Sequence, residues 1–147
     1  LVFTSLTKEA LPIIRYRTRD LTRLLPPSSR AMRRMGKING RSDDMLIIRG
    51  VNVFPSQIEE LVLKMPALAP HYQLVLTREG HMDKLEVVAE ARPGVPASMH
   101  EQLGRELEHN IKTFVGVSTT VTLAGAGGIE RTQTGKARRV VDKRPKQ

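Results

Sequence analysis

Three short segments of this chain carry the side chains that could do chemistry. Asp20 ends the run of residues 16–20, Arg41 and Asp43 lie in a charged turn, and Lys136 follows a glycine near the carboxyl end. A carboxylate accepts hydrogen bonds from hydroxyl groups, and a lysine ammonium is a compact cation on a flexible stem. Residue types alone leave ordinary roles open: an ion-pair partner for Asp20, a turn residue for Asp43 and a surface lysine for Lys136.

The amino-acid sequences of the three segments and their order along the chain match a known set of motifs. They read Tyr16-Arg17-Thr18-Arg19-Asp20, then Gly40-Arg41-Ser42-Asp43-Asp44 continuing to Glu60, then Arg131-Thr132-Gln133-Thr134-Gly135-Lys136. They resemble the ribose-binding motif, the domain-junction sequence and the last motif of the adenylate-forming enzymes, the acyl-coenzyme A synthetase and ligase superfamily. The junction sequence is most similar to that of the branch that activates phenylacetate.

This resemblance implies a role for each candidate residue. Asp20 would bind the ribose, and Arg41 would approach the nucleotide. Asp43 would be the hinge about which a lid domain rotates, because a junction residue can change its backbone angles without disturbing a core. Gly50 and Val51 would line the tunnel for the pantetheine arm of coenzyme A. Lys136 would be catalytic, offsetting the charge that gathers as a carboxylate attacks the α-phosphate.

The implied reaction joins phenylacetate, ATP and coenzyme A to give phenylacetyl-coenzyme A, AMP and pyrophosphate, with Mg²⁺ bridging phosphate oxygens. The glycine- and serine-rich phosphate loop of the family does not occur in these residues. We therefore expect a carboxy-terminal fragment that is inactive without the large domain of the same enzyme. We expect small-molecule substrates, no metal site within this chain, and neither nucleic acid nor membrane as a partner. A homodimer is left open.

Composition limits the classes of protein that fit. The chain has 147 residues, no Cys and a net charge of +9. The absence of Cys excludes disulfides and thiol chemistry, which agrees with a cytoplasmic protein. Residues 1–41 carry a net charge of +8, residues 42–130 carry −5, and residues 131–147 carry +6. The basic excess lies in the segments that the resemblance assigns to ATP, where it would attract a polyanion, although a charged run is also typical of a solvated face.

Hydrophobic spacing predicts the elements after residue 40. Strands are predicted at 45–49, 72–76, 85–89 and 117–123. One helix begins near Ser56 and Glu59, which form a capping-box pattern, and a second begins near Ser98 and Glu101. Apolar residues at helical spacing in the second helix are Met99, Leu103, Leu107, Ile111 and Phe114, and Gly116 ends it. The order is βαββαβ, an α+β ferredoxin-like arrangement. We predict a lid domain at 40–147, preceded at 1–39 by a strand-rich remnant of the large adenylation domain.

Two other function classes remain as alternatives. Ferredoxin-like sheets with basic surroundings commonly bind RNA through exposed aromatic side chains. Three Phe and two Tyr are present, and none forms a paired platform on the predicted strands. A free-standing small-molecule sensor of the same fold would need neither Asp20 nor Lys136.

Overall fold

The computed structural model describes residues 1–29, 31–129 and 139–145. The chain forms two compact units, Leu1–Met45 and Leu46–Gln147. The boundary between the two units therefore lies after Met45. Gly40 and Arg41 belong to the first unit, where they pair with Leu21 and Asp20. A functional domain boundary at residue 40 stays a prediction.

The first unit consists of very short strands in antiparallel pairs. They are β1 (Val2–Phe3), β2 (Tyr16–Arg17), β3 (Asp20–Leu21), β4 (Leu24–Leu25), β5 (Arg34–Met35) and β6 (Gly40–Arg41). β1 pairs with β2, β3 with β6, and β4 with β5. No described residue of this unit is fully buried. Backbone pairing rather than a packed core therefore gives the unit its local shape.

The second unit is built on a four-stranded sheet. Its strands are β9 (Leu68–Glu79), β10 (Met82–Ala91), β11 (Thr120–Ala124) and β12 (Val140–Asp142), in the order β11-β10-β9-β12. β9 and β10 form an antiparallel hairpin. β11 lies parallel to β10, and β12 lies parallel to β9. The predicted alternation is confirmed, because Tyr72, Leu74 and Leu76 on β9 and Leu85, Val87 and Ala89 on β10 are all buried.

Two helices pack against this sheet and against each other. α1 (Pro55–Lys64) contacts β9, and α2 (His100–Val115) contacts β11. Their buried residues follow the helical repeat: Ile58, Leu61 and Val62 on α1, and Leu103, Gly104, Leu107 and Ile111 on α2. Gly116 ends α2 with φ 83° and ψ 12°, as its type predicts. No helix in the described parts of the chain is long and apolar enough to cross a membrane.

A small hairpin precedes α1. It consists of β7 (Leu46–Ile48) and β8 (Val51–Val53), which pair only with each other. The sequence predicted the first of these strands, at 45–49, and predicted no strand at residues 51–53. The mixed class of helices and strands is confirmed, although the first predicted strand does not join the four-stranded sheet.

Both predicted capping boxes are wrong. α1 begins at Pro55, and the Gln57 side chain accepts a hydrogen bond of 3.0 Å from the backbone N–H of Phe54. A 3₁₀ turn at Ala97–Met99 precedes α2, where Glu101 instead forms an ion pair with Arg105. A proline fixes φ near −65° and so starts a helix without needing a side-chain cap. This moves the first helix start one residue ahead of Ser56.

Candidate functional site

Pairing of β3 with β6 brings Asp20 and Arg41 side by side. They are direct cross-strand partners although they lie far apart in sequence. Asp20 is half-buried, and its backbone N–H donates to the Thr18 hydroxyl at 3.1 Å. The carboxylate and the guanidinium that the sequence singled out in separate motifs thus belong to one small ladder.

Arg41 also forms an ion pair with Asp43 at the end of this ladder. Its Nε donates to Asp43 Oδ1 at 3.0 Å and its Nη2 donates to Asp43 Oδ2 at 2.9 Å. This fork-to-carboxylate geometry gives two charge-assisted hydrogen bonds. The hydrogen bonds from Arg41 lower the pKa of Asp43 to about 2. The same contact raises the pKa of Arg41. Both groups therefore stay charged at neutral pH, although salt screens an exposed pair of this kind.

Arg19 adds a second cation to Asp43. Its Nη1 lies 3.5 Å from Asp43 Oδ2, and its backbone has φ 67°. A left-handed backbone costs a residue with a side chain about 1–2 kcal/mol. The neighbouring contacts offset that cost, because the backbone carbonyl of Arg19 accepts from both the N–H and the hydroxyl of Ser42.

A surface cleft opens beside this cluster. Its volume is about 290 Å³, and it is lined by Arg17, Arg19, Ser42 and Asp43. The two guanidinium groups supply hydrogen-bond donors of the kind that bind phosphate oxygens. The Ser42 hydroxyl donates to the Arg19 carbonyl, and the Asp43 carboxylate on the same wall accepts from Arg19. The cleft therefore suits an anionic ligand, and it adds Arg17 and Ser42 to the residues that sequence motifs identified. The signal that could have found Arg17 is its place inside the motif that ends at Asp20.

Asp43 itself lies in a turn. The N–H of Asp44 donates to the carbonyl of Arg41 at 3.2 Å, so Asp43 is the third residue of this turn. Two residues further on, the first compact unit ends. The proposed hinge thus stands outside every strand and helix of the described chain, at the edge of the first unit.

Gly50 and Val51 lie in the second unit, at the tip of the β7–β8 hairpin. Arg49 and Gly50 form a two-residue turn with φ 51° and 80°. Positive φ at both positions is the pattern of the tight hairpin turn whose twist matches the strands. The adjacent side chains of Ile48 and Val53 are fully buried. The hairpin is therefore held firmly at its base, while Gly50 is exposed and Val51 half-buried.

Lys136 lies outside the described residues. The described chain resumes at Arg139, where sequence analysis foresaw no function. Arg139 contacts Glu59 on α1 and Tyr72 on β9. Sequence analysis assigned Glu59 to a capping box and missed this cluster.

Comparison with known sequences gives consistent matches. Residues 50–144 match the sequence model of the AMP-binding enzyme C-terminal domain. The chain is 61% identical to phenylacetate-coenzyme A ligase of Aromatoleum evansii, over 100% of this chain and 34% of that protein. It is 58% identical to phenylacetate-coenzyme A ligase of Escherichia coli strain K12, over 98% of this chain and 33% of that protein. The chain thus spans about a third of the length of these relatives.

Comparison with solved structures agrees with these sequence matches. A crystal structure of 2-hydroxyisobutyryl-CoA ligase in the postadenylation state, in complex with 2-HIB-AMP, matches with a TM-score of 0.82 and 35% identity. The match covers 97% of this chain and 31% of that chain. A domain of phenylacetate-coenzyme A ligase from Bacteroides vulgatus ATCC 8482 matches with a TM-score of 0.63 and 30% identity, over 70% of this chain and 95% of that chain.

Proposed function

We propose that this chain, which belongs to the family of AMP-binding enzyme C-terminal domains, is the carboxy-terminal part of an ATP-dependent phenylacetate-coenzyme A ligase. The observation that carries the proposal is the identity of 61% and 58% to two such ligases over essentially all of the chain. The resemblance noted in the sequence is confirmed at the level of the family. The activity of the complete enzyme and its acid substrate are part of the proposal.

The reaction has two steps. The carboxylate oxygen of the acid attacks the α-phosphorus of ATP, and the bond to the pyrophosphate breaks, so that an acyl adenylate and pyrophosphate form. The thiol of coenzyme A, after losing its proton, attacks the acyl carbon, and AMP leaves. Lys136 stabilises the charge that builds up in the first step, since a fixed cation at developing charge lowers the barrier.

The nucleotide is bound beside β3 and β6. Asp20 accepts hydrogen bonds from the ribose hydroxyls, and Arg41 approaches the nucleotide. Arg17 and Arg19 supply cations at the cleft next to this ladder. The pairing of Asp20 with Arg41 supports this assignment because it brings an acceptor for hydroxyls and a donor for phosphate within one ladder.

Mg²⁺ is assigned to the phosphates of ATP. Within the described segments of the chain, no group of three His, Asp or Glu side chains could hold a metal ion. The carboxylate of Asp43 is already engaged by Arg41.

Residues 40–147 act as the lid, with Asp43 as its hinge. The turn at Asp43 and the end of the first unit at Met45 support a pivot in this stretch. The order along the chain of hairpin, α1, β9, β10, α2 and β11 supports a ferredoxin-like βαββαβ plan for the lid. The hairpin itself lies outside the four-stranded sheet, in which β12 is the edge strand beside β9. Gly50 and Val51 line the passage for the pantetheine arm, where the firmly based hairpin would present backbone groups to the ligand.

The first unit is completed by the large domain of the same enzyme. Its described residues expose many large apolar side chains, among them Leu6 at 93%, Met32 at 79% and Leu11 at 76%. Apolar surface of this extent normally marks a contact with another protein surface. The chain spans about a third of its relatives' length, which supports the remaining part of the enzyme as the covering surface.

The RNA-binding alternative is not favoured. Phe3 and Tyr16 do form a pair on β1 and β2, which the sequence analysis did not foresee, with ring centroids 5.6 Å apart and planes at 66°. They pack edge to face against each other, whereas a platform for bases presents its ring faces. The identity to two phenylacetate-coenzyme A ligases also favours a ligase. A cytoplasmic location and the oligomeric state stay predictions.

The test is Lys136→Ala in the complete ligase. Removing one donor to a transition state typically costs roughly 10²–10³-fold in rate. We expect a loss of that size in the exchange of pyrophosphate into ATP with phenylacetate, while thioester formation from supplied phenylacetyl adenylate survives. An equal loss in both half-reactions would show that Lys136 has a structural role. If the unaltered enzyme shows pyrophosphate exchange with another acid but none with phenylacetate, the assignment of phenylacetate as the substrate is wrong.

A further inference from the structure

We infer that Arg49 positions the tip of the β7–β8 hairpin for the thioester-forming step. Arg49 is the first residue of the two-residue turn, and its side chain reaches the backbone between α2 and β11. The residues that it positions are Gly50 and Val51. The inference rests on the proposed function, because it assumes that Gly50 and Val51 line the passage for the pantetheine arm.

The side chain of Arg49 connects the hairpin to a distant part of the second unit. Its Nη2 donates to the carbonyl oxygen of Ser118, which lies 69 residues further along the chain. Ser118 lies in the connection between the end of α2 at Val115 and the start of β11 at Thr120. A hydrogen bond from a charged donor is stronger than one between neutral groups. This contact, the tether, therefore holds the hairpin at its tip as well as at its base.

The carbonyl of Ser118 belongs to a firmly held stretch of backbone. On one side, Val117 is only 2% exposed. On the other side, the Thr119 hydroxyl donates to the carbonyl of Leu85 at 2.8 Å, and Leu85 is a buried residue of β10. Both neighbours of Ser118 are thus held by the core or the sheet. The tether therefore connects the turn to a fixed point of the second unit.

The backbone of Arg49 has a conformation that does not suit an arginine. Its φ is 51°, and every other described residue of the second unit with a positive φ is a glycine. Hairpin turns of this type favour Asn, Asp or Gly at the first position. A left-handed backbone is strained in a residue such as arginine, and strain of this kind often occurs at functional positions. The turn itself gives no reason for an arginine, whereas the contact with Ser118 does.

The tether matters because little else restrains the tip. A Cβ at Gly50 would meet no atom of the described chain within 4 Å, so nothing packs against that side of the turn. The position of Gly50 therefore depends on its neighbour Arg49. A displacement of about 1 Å can cost on the order of 10²-fold in rate when it misplaces reacting groups. The pantetheine passage serves the second half-reaction, so loss of the tether should affect thioester formation and spare adenylation.

Arg49→Asn separates the tether from the fold of the turn. Asn-Gly is one of the most favoured pairs for a two-residue turn of this type, so the hairpin should keep its shape. The asparagine side chain is too short to replace the guanidinium that reaches Ser118. Arg49 is a positioning residue, since it acts on the reaction through Gly50 and Val51.

Arg92 provides a matched control. Its Nε donates to the carbonyl of Leu68 at 2.9 Å, so Arg92 is also an arginine that binds a backbone carbonyl within the second unit. This contact joins the residue after β10 to the start of β9 and does not involve the hairpin. Arg92→Asn therefore removes the same charge and the same kind of hydrogen bond as Arg49→Asn.

The experiment measures both half-reactions of the complete ligase, together with its melting temperature. We expect Arg49→Asn to lower the single-turnover rate of thioester formation from supplied phenylacetyl adenylate, at saturating coenzyme A, by roughly 10-fold. Pyrophosphate exchange and the melting temperature should stay near those of the unaltered enzyme. Arg49→Lys keeps a charged donor on a long side chain, so its rate should lie between those of the unaltered enzyme and Arg49→Asn. Arg92→Asn should leave the ratio of the two half-reactions unchanged.

The split between KM and the saturated rate decides how Arg49 acts. If Arg49 bound coenzyme A directly, the loss would appear in the KM for coenzyme A and disappear at saturation, and this result would overturn the positioning role. An equal loss in both half-reactions would also overturn it. So would normal thioester formation in Arg49→Asn, or a change of the ratio in Arg92→Asn as large as that in Arg49→Asn.

Gly50→Ala distinguishes failure of the tether from failure of the proposed passage. A side chain at φ 80° strains the tip directly. If Gly50→Ala lowers thioester formation selectively and Arg49→Asn does not, the tether inference is wrong and the passage stands. If neither variant lowers thioester formation, the role proposed for Gly50 and Val51 fails first.

Discussion

At the scale of single residues, the hinge role proposed for Asp43 competes with the ion pairs that its carboxylate forms. Arg41 binds its carboxylate through two hydrogen bonds, and Arg19 lies at 3.5 Å. A hinge residue must nevertheless change its backbone angles when the lid rotates. An exposed ion pair contributes little net stability in salt. The pair can therefore favour one arrangement of the turn without preventing rotation.

The hinge prediction is tested by Asp43→Pro, with Asp43→Ala as its control, in the complete ligase. Both variants remove the carboxylate, and only proline fixes φ. We expect Asp43→Pro to lower the ratio of thioester formation to pyrophosphate exchange, and Asp43→Ala to leave that ratio near its normal value. Proline at the third position of a turn also disturbs the turn, so the ratio rather than either rate is informative.

Asp44→Pro checks whether the pivot is one residue later. It removes the hydrogen bond from Asp44 N–H to Arg41, which Asp43→Pro does not. A selective loss of thioester formation in Asp44→Pro alone would move the hinge to Asp44. If Asp43→Pro and Asp43→Ala are both folded and have the same ratio of thioester formation to pyrophosphate exchange, Asp43 is an ordinary turn residue and not the hinge.

Sequence reasoning found the local motifs and missed the distant contacts. Arg41 and Asp43 are two residues apart, and a charged turn makes their contact predictable. Glu59 and Arg139 are far apart in sequence, and only the parallel pairing of β12 with β9 brings them together. A capping-box pattern at Ser56 and Glu59 gave the glutamate a sufficient local role, so nothing in the sequence called for a distant partner.

At the scale of elements, the helical repeat predicts the middle of α2 and fails at its ends. Leu103, Leu107 and Ile111 are buried, as their spacing predicts. Met99 is 42% exposed and Phe114 is 69% exposed. Met99 precedes the α-helix, and Lys64 of α1 lies 6.0 Å from the Phe114 ring. Periodicity identifies a face of the helix, but the sheet covers only the central turns of that face.

The end of α2 gives a prediction about stability. Gly116 has φ 83°, and a Cβ there would meet no atom within 4 Å. Any effect of Gly116→Ala therefore comes from the backbone, and a left-handed alanine costs roughly 1–2 kcal/mol. Urea unfolding of this chain should show that the free energy of unfolding of Gly116→Ala is lower by this amount. Gly125→Ala is the matched control, because Gly125 is also open and does not have a positive φ. A loss of the same size in both variants would show that the conformation of Gly116 is not the cause.

At the scale of the whole molecule, the core lies in one unit only. All twenty buried apolar side chains among the described residues fall between Ile48 and Val117. The sequence predicted that the folded part would begin near residue 40, because strand and helix patterns become regular there. The exact start could not be read from the sequence, since the charged turn at 40–44 is polar whether it ends one unit or begins the next.

The last prediction concerns which part of the chain folds by itself. Burial of apolar surface is the main force that offsets chain entropy, so the unit with the core should carry nearly all the stability. A chain that begins at Leu46 should therefore keep a cooperative thermal transition at nearly the melting temperature of the 147-residue chain. A peptide of residues 1–45 should show no such transition. Leu107→Ala truncates a fully buried residue and should lower the free energy of unfolding by about 2–5 kcal/mol. The loss should be the same in the shorter chain and in the 147-residue chain. If the shorter chain loses cooperativity, or if the cost of Leu107→Ala differs between the two chains, residues 1–45 stabilise the core despite contributing no buried side chain to it.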